Sequence, residues 1–243
     1  MSSSLADKLI APALVLMAAC AGNAVGAEVR GTVNVDYEGL FQRGNEADKY
    51  PVSVALQPAD GQRSPQPGTG RNTIEIVANR MQPAFLTVQR GTTIEFVNRD
   101  DVFHELFTLS AGTPERTQLG KAGNRQHDRA SFTLDRPGTV HFFCRIHNKG
   151  YARIDVVDTP YIQTVQPGAE FSFKGLRPGP WRLRVAAPAA ETEWVDVTAV
   201  TSPPPLKLSL KSRSGGSGGT SGTGGNANVG RLYRSVAATG AAP

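Results

Sequence analysis

Residues 139–161 read TVHFFCRIHNKGYARIDVVDTPY, and the alternation inside this stretch decides the fold. In 140–144, Val140, Phe142 and Cys144 fall on one side of an extended chain and His141 and Phe143 on the other, because side chains two apart share a face of a strand. The apolar side points to an interior, so Cys144 is expected to close a strand with its thiol turned inward. His147 follows three residues later, where strand gives way to loop. A thiolate and an imidazole at Cys-x-x-His spacing can hold one soft transition-metal ion between them. His141 faces the other way. The spacing His141-x2-Cys144-x2-His147 would suit a helix face, and nothing in this region reads as helix.

Working outward, short segments rich in β-branched and aromatic residues recur at 73–77 (TIEIV), 85–88 (FLTV), 93–97 (TIEFV), 131–134 (SFTL) and 153–157 (RIDVV). Turn signals separate them, at Arg90-Gly91, at Asn98-Arg99-Asp100-Asp101 and at Asp135-Arg136-Pro137-Gly138. Several short strands at this spacing predict an all-β sandwich or barrel. On either side lie further strand-like runs, 29–37 and 51–56 before the core and 170–173 and 181–185 after it. These either extend the same sandwich or pair into a second small β module.

The chain has only two cysteines, Cys20 and Cys144. Lys8 precedes an apolar stretch over 9–21 and small residues ending at Ala24-Val25-Gly26-Ala27, the pattern of an export signal cleaved near residue 27. The stretch is too short to make a good membrane span. A rival reading takes Met17-Ala18-Ala19-Cys20 as a lipoprotein box, which would lipidate Cys20 and tether the chain to a membrane. Ordinary cleavage places the chain in the periplasm or outside the cell and leaves Cys144 as a single thiol in an oxidising compartment, where an unpaired reactive cysteine needs a reason. A buried inert cysteine is one reason, and a metal is the other.

Removal of the signal leaves about 215 residues. The Gly/Ser run at 214–225 (SGGSGGTSGTGG) is expected to be a tether, because it carries too little apolar surface to offset the entropy of ordering it. The domain layout read from these features is 1–27 signal, 28–71 N-terminal strands and linker, 72–158 metal-binding sandwich, 159–200 C-terminal strands and 201–243 flexible Pro/Gly/Ser-rich tail. With 26 basic and 21 acidic residues the formal charge is +5. That excess suits acidic partners or anionic surfaces, and no dense basic run points to nucleic acid.

The stretch from about Asn72 to Val157 resembles the cupredoxins, the plastocyanin and azurin class of single-copper Greek-key β-sandwiches. The resemblance rests on Gly91-Thr-Thr-Ile-Glu-Phe-Val-Asn98-Arg-Asp100-Asp-Val-Phe-His104, a strand ending in an Asn-x-Asp turn before a histidine, and on Cys144-x-x-His147. It is nearer still to periplasmic cupredoxin-like proteins commonly called methylamine utilization proteins. They share the layout Asn-x-Asp, His, Asp-x-Pro-Gly, Cys-x-Ile-His, Val-x-Asp-Thr-Pro-Tyr and a Leu-x-Pro-Gly strand pair, here Leu176-Arg177-Pro178-Gly179. The resemblance implies copper held by His104, Cys144 and His147, and a one-electron carrier that meets redox partner proteins. Two imidazoles and a thiolate form a set that copper accepts in both oxidation states with little rearrangement. Asp100, Asp101 and Glu105 are expected to make the turn polar and to orient His104.

The chain departs from the pattern at Gly150. The relatives carry a weak axial methionine there, and glycine has no side chain to donate. Met81, the one methionine left after export, aligns with a packing residue before Pro83. A three-coordinate copper, an axial carbonyl or water, and a scaffold that has lost its metal are all consistent with this departure. His127 sits in the polar segment 123–129 and reads as a surface residue. Multicopper enzymes need many more histidines than the four present, and no acyl-transfer signature accompanies Cys144 and His147 to suggest a hydrolytic dyad. The expectation is a non-enzymatic copper carrier. The alternative is a non-redox module that sequesters copper or binds protein through a degenerate site.

Overall fold

The computed structural model describes residues 26–38, 51–61, 66–108, 116–188, 190–191, 194–213 and 232–235, and among them every regular element is a strand. The export segment, the lipidation alternative at Cys20 and the run 214–225 lie outside the described residues. The chain opens with β1 (Ala27–Glu38) and β2 (Val52–Pro58). A central group follows: β3 (Arg71–Val77), β4 (Arg80–Gln82), β5 (Phe85–Gln89), β6 (Thr93–Asn98), β7 (His104–Thr108), β8 (Arg116–Leu119), β9 (Arg129–Thr133), β10 (Gly138–Cys144) and β11 (Tyr151–Val157). The chain ends with β12 (Tyr161–Val165), β13 (Glu170–Leu176), β14 (Gly179–Ala187), β15 (Ala190–Glu191), β16 (Val195–Ala199), β17 (Leu206–Arg213) and β18 (Leu232–Ser235).

The central group makes one sandwich, with sheets ordered β4-β3-β6-β9 and β5-β11-β10-β7-β8. Alternation sets its core. Along β10 the burial pattern puts Val140, Phe142 and Cys144 inside and leaves His141 and Phe143 partly exposed, as the sequence predicts. Phe96 and Phe132 of one sheet meet Phe142 of the other, with ring centroids 4.7 to 5.7 Å apart, so an aromatic trio ties the layers together two residues below Cys144. Ile74, Ile76, Ile94, Leu106 and Ile154 fill the space around it.

The flanking strands resolve the alternative left open by the sequence: they form a second sandwich with a core of their own. Its sheets run β13-β1-β17-β18 and β12-β2-β14-β15, with β16 also on β14, around Leu56, Phe171, Trp181 and Leu183. Because β1 and β2 precede the central group and β12 to β18 follow it, the first sandwich is an insertion in the second. The tail expected over 201–243 therefore needs correcting. Leu206–Arg213 pairs in parallel with β1, and Leu208 and Leu210 are buried in the second core, while Leu232–Ser235 pairs with β17. Composition hid these strands because Lys207 and Ser209 alternate with the leucines, as a strand with one buried and one open face demands.

The sandwiches meet through faces that alternation turns away from both cores. Ala55 and Ala186 on one side, and Phe85, Asp155 and Val157 on the other, are buried without belonging to either core. At the centre Asp155, fully buried, accepts paired bonds from Arg153 at 3.0 and 2.8 Å and a third from the Thr139 hydroxyl at 2.9 Å, with Arg184 of β14 at 3.5 Å. The Arg153 guanidinium also lies 5.6 Å over the Phe85 ring. A buried carboxylate between two guanidiniums fixes one sandwich against the other, and removing it takes this anionic partner from both in a low-dielectric seam. Asp155→Ala is expected to lower the stability of the chain by about 3–5 kcal/mol in urea titration. A loss under about 1 kcal/mol, the size of a surface pair, would show that the cluster does not bind the sandwiches together.

Candidate metal centre

Cys144 ends β10 opposite Leu106 of β7, two residues past His104, so the pairing of these strands brings the first histidine beside the thiol. His104 opens β7 fully buried, and its strand shows the inward alternation of His104, Leu106 and Thr108. The strand-like runs read from the sequence do not include 104–108. The period-two signal in HELFT was present, but it is only five residues long. His147 lies half-buried in the loop between β10 and β11. That loop is closed tightly: the Cys144 N–H donates to the Gly150 carbonyl at 2.8 Å and the Gly150 N–H to the His147 carbonyl at 3.1 Å.

The result is a triangle of donor atoms. His104 Nδ1 is 3.4 Å from Cys144 Sγ, Sγ is 3.6 Å from His147 Nδ1, and the two Nδ1 atoms are 3.2 Å apart. The point equidistant from all three lies about 2.0 Å from each, the length of an ordinary bond from a transition metal to imidazole and slightly short for thiolate. Among the described residues these three form a group that could hold a metal ion. Two soft-to-borderline nitrogens and one sulfur suit copper or zinc far better than magnesium or calcium.

A layer of hydrogen bonds behind the triangle explains the Asn-x-Asp turn. Asn98 is buried and its amide donates to the carbonyls of Val102 and Gly120, both at 2.7 Å, which pins the turn to the loop after β8. Its Oδ1 accepts the Asp100 N–H at 2.9 Å. Asp100 in turn holds His104 Nε2 at 3.1 Å, leaving Nδ1 free to face Cys144. The same carboxylate accepts the N–H groups of Ala78 and Asn79 at 2.7 and 2.8 Å. These two residues form the β3–β4 turn with φ of 51° and 62°, a conformation that side chains disfavour and that the carboxylate stabilises. Of the three acids expected to orient His104, only Asp100 reaches it. Asp101 pairs with Lys121 and Glu105 with Arg145.

Burial raises the Asp100 pKa, but the Asn79 and Ala78 amides and His104 outweigh it, and the net shift is downward. Burial also lowers the His104 pKa, as does the neighbouring His147, against the pull of Asp100. The buried imidazole is thereby kept neutral, the form that binds metal.

The other candidates fall elsewhere. His141 is on the outer face of β10, with Nδ1 3.0 Å from the Tyr151 hydroxyl, and His127 is exposed. Met81 is a core residue of β4. Gly150 is buried, and a Cβ built there would land on the Cys144 Cβ, well inside van der Waals contact. Glycine is required at this position because loop and strand backbone approach too closely for any side chain. The same crowding closes the route by which a donor at 150 could reach the triangle.

Three outcomes follow. Gly150→Ala should push the loop off Cys144, lowering stability by about 1–3 kcal/mol and the affinity of the triangle for a metal ion with it; an unperturbed melt and titration would contradict the close approach. Asp100→Ala should weaken metal binding by about 10- to 100-fold, read by competition with a chelator, while an effect below threefold would mean that His104 needs no orienting partner. The metal-free protein should lose stability as pH falls below 6.5, the usual histidine value, because the unfolded chain then binds a proton that folded His104 resists. Asp100 adds a further loss below its usual 3.8, as the folded carboxylate is forced to protonate. Thermal melts from pH 7 to 3 check the sign; a melting temperature that rises on acidification would overturn it.

No known family profile matches the chain, and no curated protein does. Solved structures that it is similar to include a mutant of amicyanin in its reduced Cu(I) form at pH 4, with 18% identity over 38% of this chain and 92% of that one and a TM-score of 0.32. Another is a purple cupredoxin from Nitrosopumilus maritimus, at 19% identity over 35% and 98% of the two chains and a TM-score of 0.30. The oxidised plastocyanin of Dryopteris crassirhizoma stands at 18% identity over 35% and 100%, also at 0.30. The described strands themselves make the chain all-β, with one two-sheet sandwich inserted in another.

Proposed function

We propose that the chain is an exported mononuclear copper protein that carries single electrons, with His104 and His147 as imidazole ligands and Cys144 as thiolate. The observation that carries this reading is the donor triangle, whose three sides of 3.2 to 3.6 Å already match the space one transition-metal ion needs. Copper bound there would supply a one-electron couple. The chain supplies a frame that does not have to move: His104 is fixed by Asp100 and by β7, Cys144 by β10 and the Gly150 carbonyl, and burial of both shields them from water. A site that rearranges little between oxidation states exchanges electrons with a small barrier, which suits a carrier that meets redox partner proteins.

Export to the periplasm or beyond fits the single thiol, since bound metal protects Cys144 from the oxidation ladder open to a free thiolate. Lipidation at Cys20 would add a membrane tether to the same function. A carrier is favoured over an enzyme because His127 and His141 stand apart from the triangle, leaving no second cluster of imidazoles among the described residues. The second reading, a module that sequesters copper without redox traffic, draws on Gly150, which offers no axial side chain.

Addition of one equivalent of Cu(II) separates the two. The carrier reading expects an intense visible thiolate-to-copper band with a narrow-hyperfine paramagnetic signal, both lost in Cys144→Ser with the fold retained and both damaged in His104→Ala. A colourless adduct would favour sequestration. Equal damage from His127→Ala or His141→Ala would overturn the ligand set.

A further inference from the structure

A second concavity lies far from the donor triangle, where the two sandwiches meet. It is a cleft of about 320 Å³, walled by Gln57, Arg184 and Trp194 of the second sandwich and by Thr139, Val157 and Asp158 of the inserted one. Thr139 lies at the start of β10 and Cys144 closes it, so cleft and triangle stand at opposite ends of one strand, roughly 17 Å apart.

Local geometry shapes both walls. The register that pairs Leu183 with Val195 continues to Arg184 and Trp194, which puts these two on the face turned away from the second core. Trp194 is partly exposed there, whereas Trp181 is buried in that core. On the other wall Gly138, with φ of 141°, precedes Thr139; a Cβ built on it would meet nothing within 4 Å, so the backbone lies open to the cleft. The charged groups are matched already. Asp158 accepts from Arg90 at 2.9 Å, and Arg184 lies 3.5 Å from Asp155. A ligand with a net charge would compete with these pairs, but hydroxyl groups can share them, since a carboxylate accepts up to about four hydrogen bonds and a guanidinium donates up to about five. Gln57 adds an amide that both donates and accepts.

We infer that this cleft is a binding site for a neutral saccharide, with the Trp194 indole against the C–H face of a pyranose ring and Gln57, Asp158 and Arg184 bonding its hydroxyls. A pyranose has an apolar face and a polar rim, and the cleft offers an aromatic wall flanked by planar polar groups. Its volume stands at the lower end of small-molecule sites, which suits a mono- or disaccharide rather than a longer glycan. A wholly apolar ligand is disfavoured because it would take these polar groups from water and return no hydrogen bonds. The walls come from both sandwiches, so an occupant bridges them and binding should stabilise the chain as a whole. The inference does not rest on the copper reading.

The test titrates the full metal-free chain with glucose, maltose and chitobiose, and with glucuronate as a charged counterpart of glucose. The chain has two tryptophans and Trp181 is buried, so a change in indole emission reports on Trp194. At least one neutral sugar is expected to change that emission and to raise the melting temperature as its concentration rises, whereas glucuronate should do neither. Trp194→Ala should abolish the thermal shift, and Gln57→Ala should weaken binding by about tenfold. Cys144→Ser should leave binding intact, which separates this site from the metal centre. Indifference to every neutral sugar at high millimolar concentration would overturn the proposal, as would a stronger response to glucuronate. So would undiminished binding in Trp194→Ala or in Gln57→Ala, and if Trp194→Ala does not fold, Gln57→Ala decides alone.

Discussion

The bond between Asp100 and His104 is the contact on which the site depends. One carboxylate fixes the outer nitrogen of the buried imidazole, so that the inner nitrogen faces Cys144, and it also accepts two amides of a turn whose backbone is held at positive φ. The β3–β4 hairpin, the loop before β7 and the donor triangle are therefore coupled through a single side chain. Groups joined in this way do not contribute independently, and loss of one is felt by the others.

The second constraint is close backbone approach. Gly150 lets the loop after β10 fold back on Cys144, and the two hydrogen bonds that close it place His147 over the thiol. A loop carrying a methionine at this position would need more room. The lack of a side-chain donor at 150 is thus built into the packing of the loop, and it follows from the same geometry that sets the Cys144 to His147 distance. Below the loop the aromatic trio of Phe96, Phe132 and Phe142 resists any shift of β10. On the far face the buried Asp155 cluster anchors β11 to the second sandwich.

Much of this was legible in the sequence where the physics is local. Period-two alternation gave the direction of Cys144 and His141 because a strand allows only two faces. The turns at Asn98 and Asp135 were readable because they use residues that bond their own backbone. What escaped was long-range. Nothing local says that Asp100 would cap a turn twenty residues earlier, or that Lys207 and its neighbours would pair with a strand at the other end of the chain. Nor could spacing show that a second sandwich is built from segments on both sides of the first. The consequence of glycine at 150 was visible as a missing donor, but the reason for it, the nearby Cβ of Cys144, appears only in three dimensions.

The central claim is that His104, Cys144 and His147 form a donor set that holds copper unchanged through its redox cycle. X-ray absorption at the copper edge, on one-equivalent samples in the Cu(II) and Cu(I) states, tests it most directly. The account expects one short copper–sulfur distance and two copper–nitrogen distances near 2.0 Å in both states, each shifting by less than about 0.1 Å on reduction. A spectrum without sulfur in the first shell, or one in which a nitrogen ligand is lost on reduction, would contradict it.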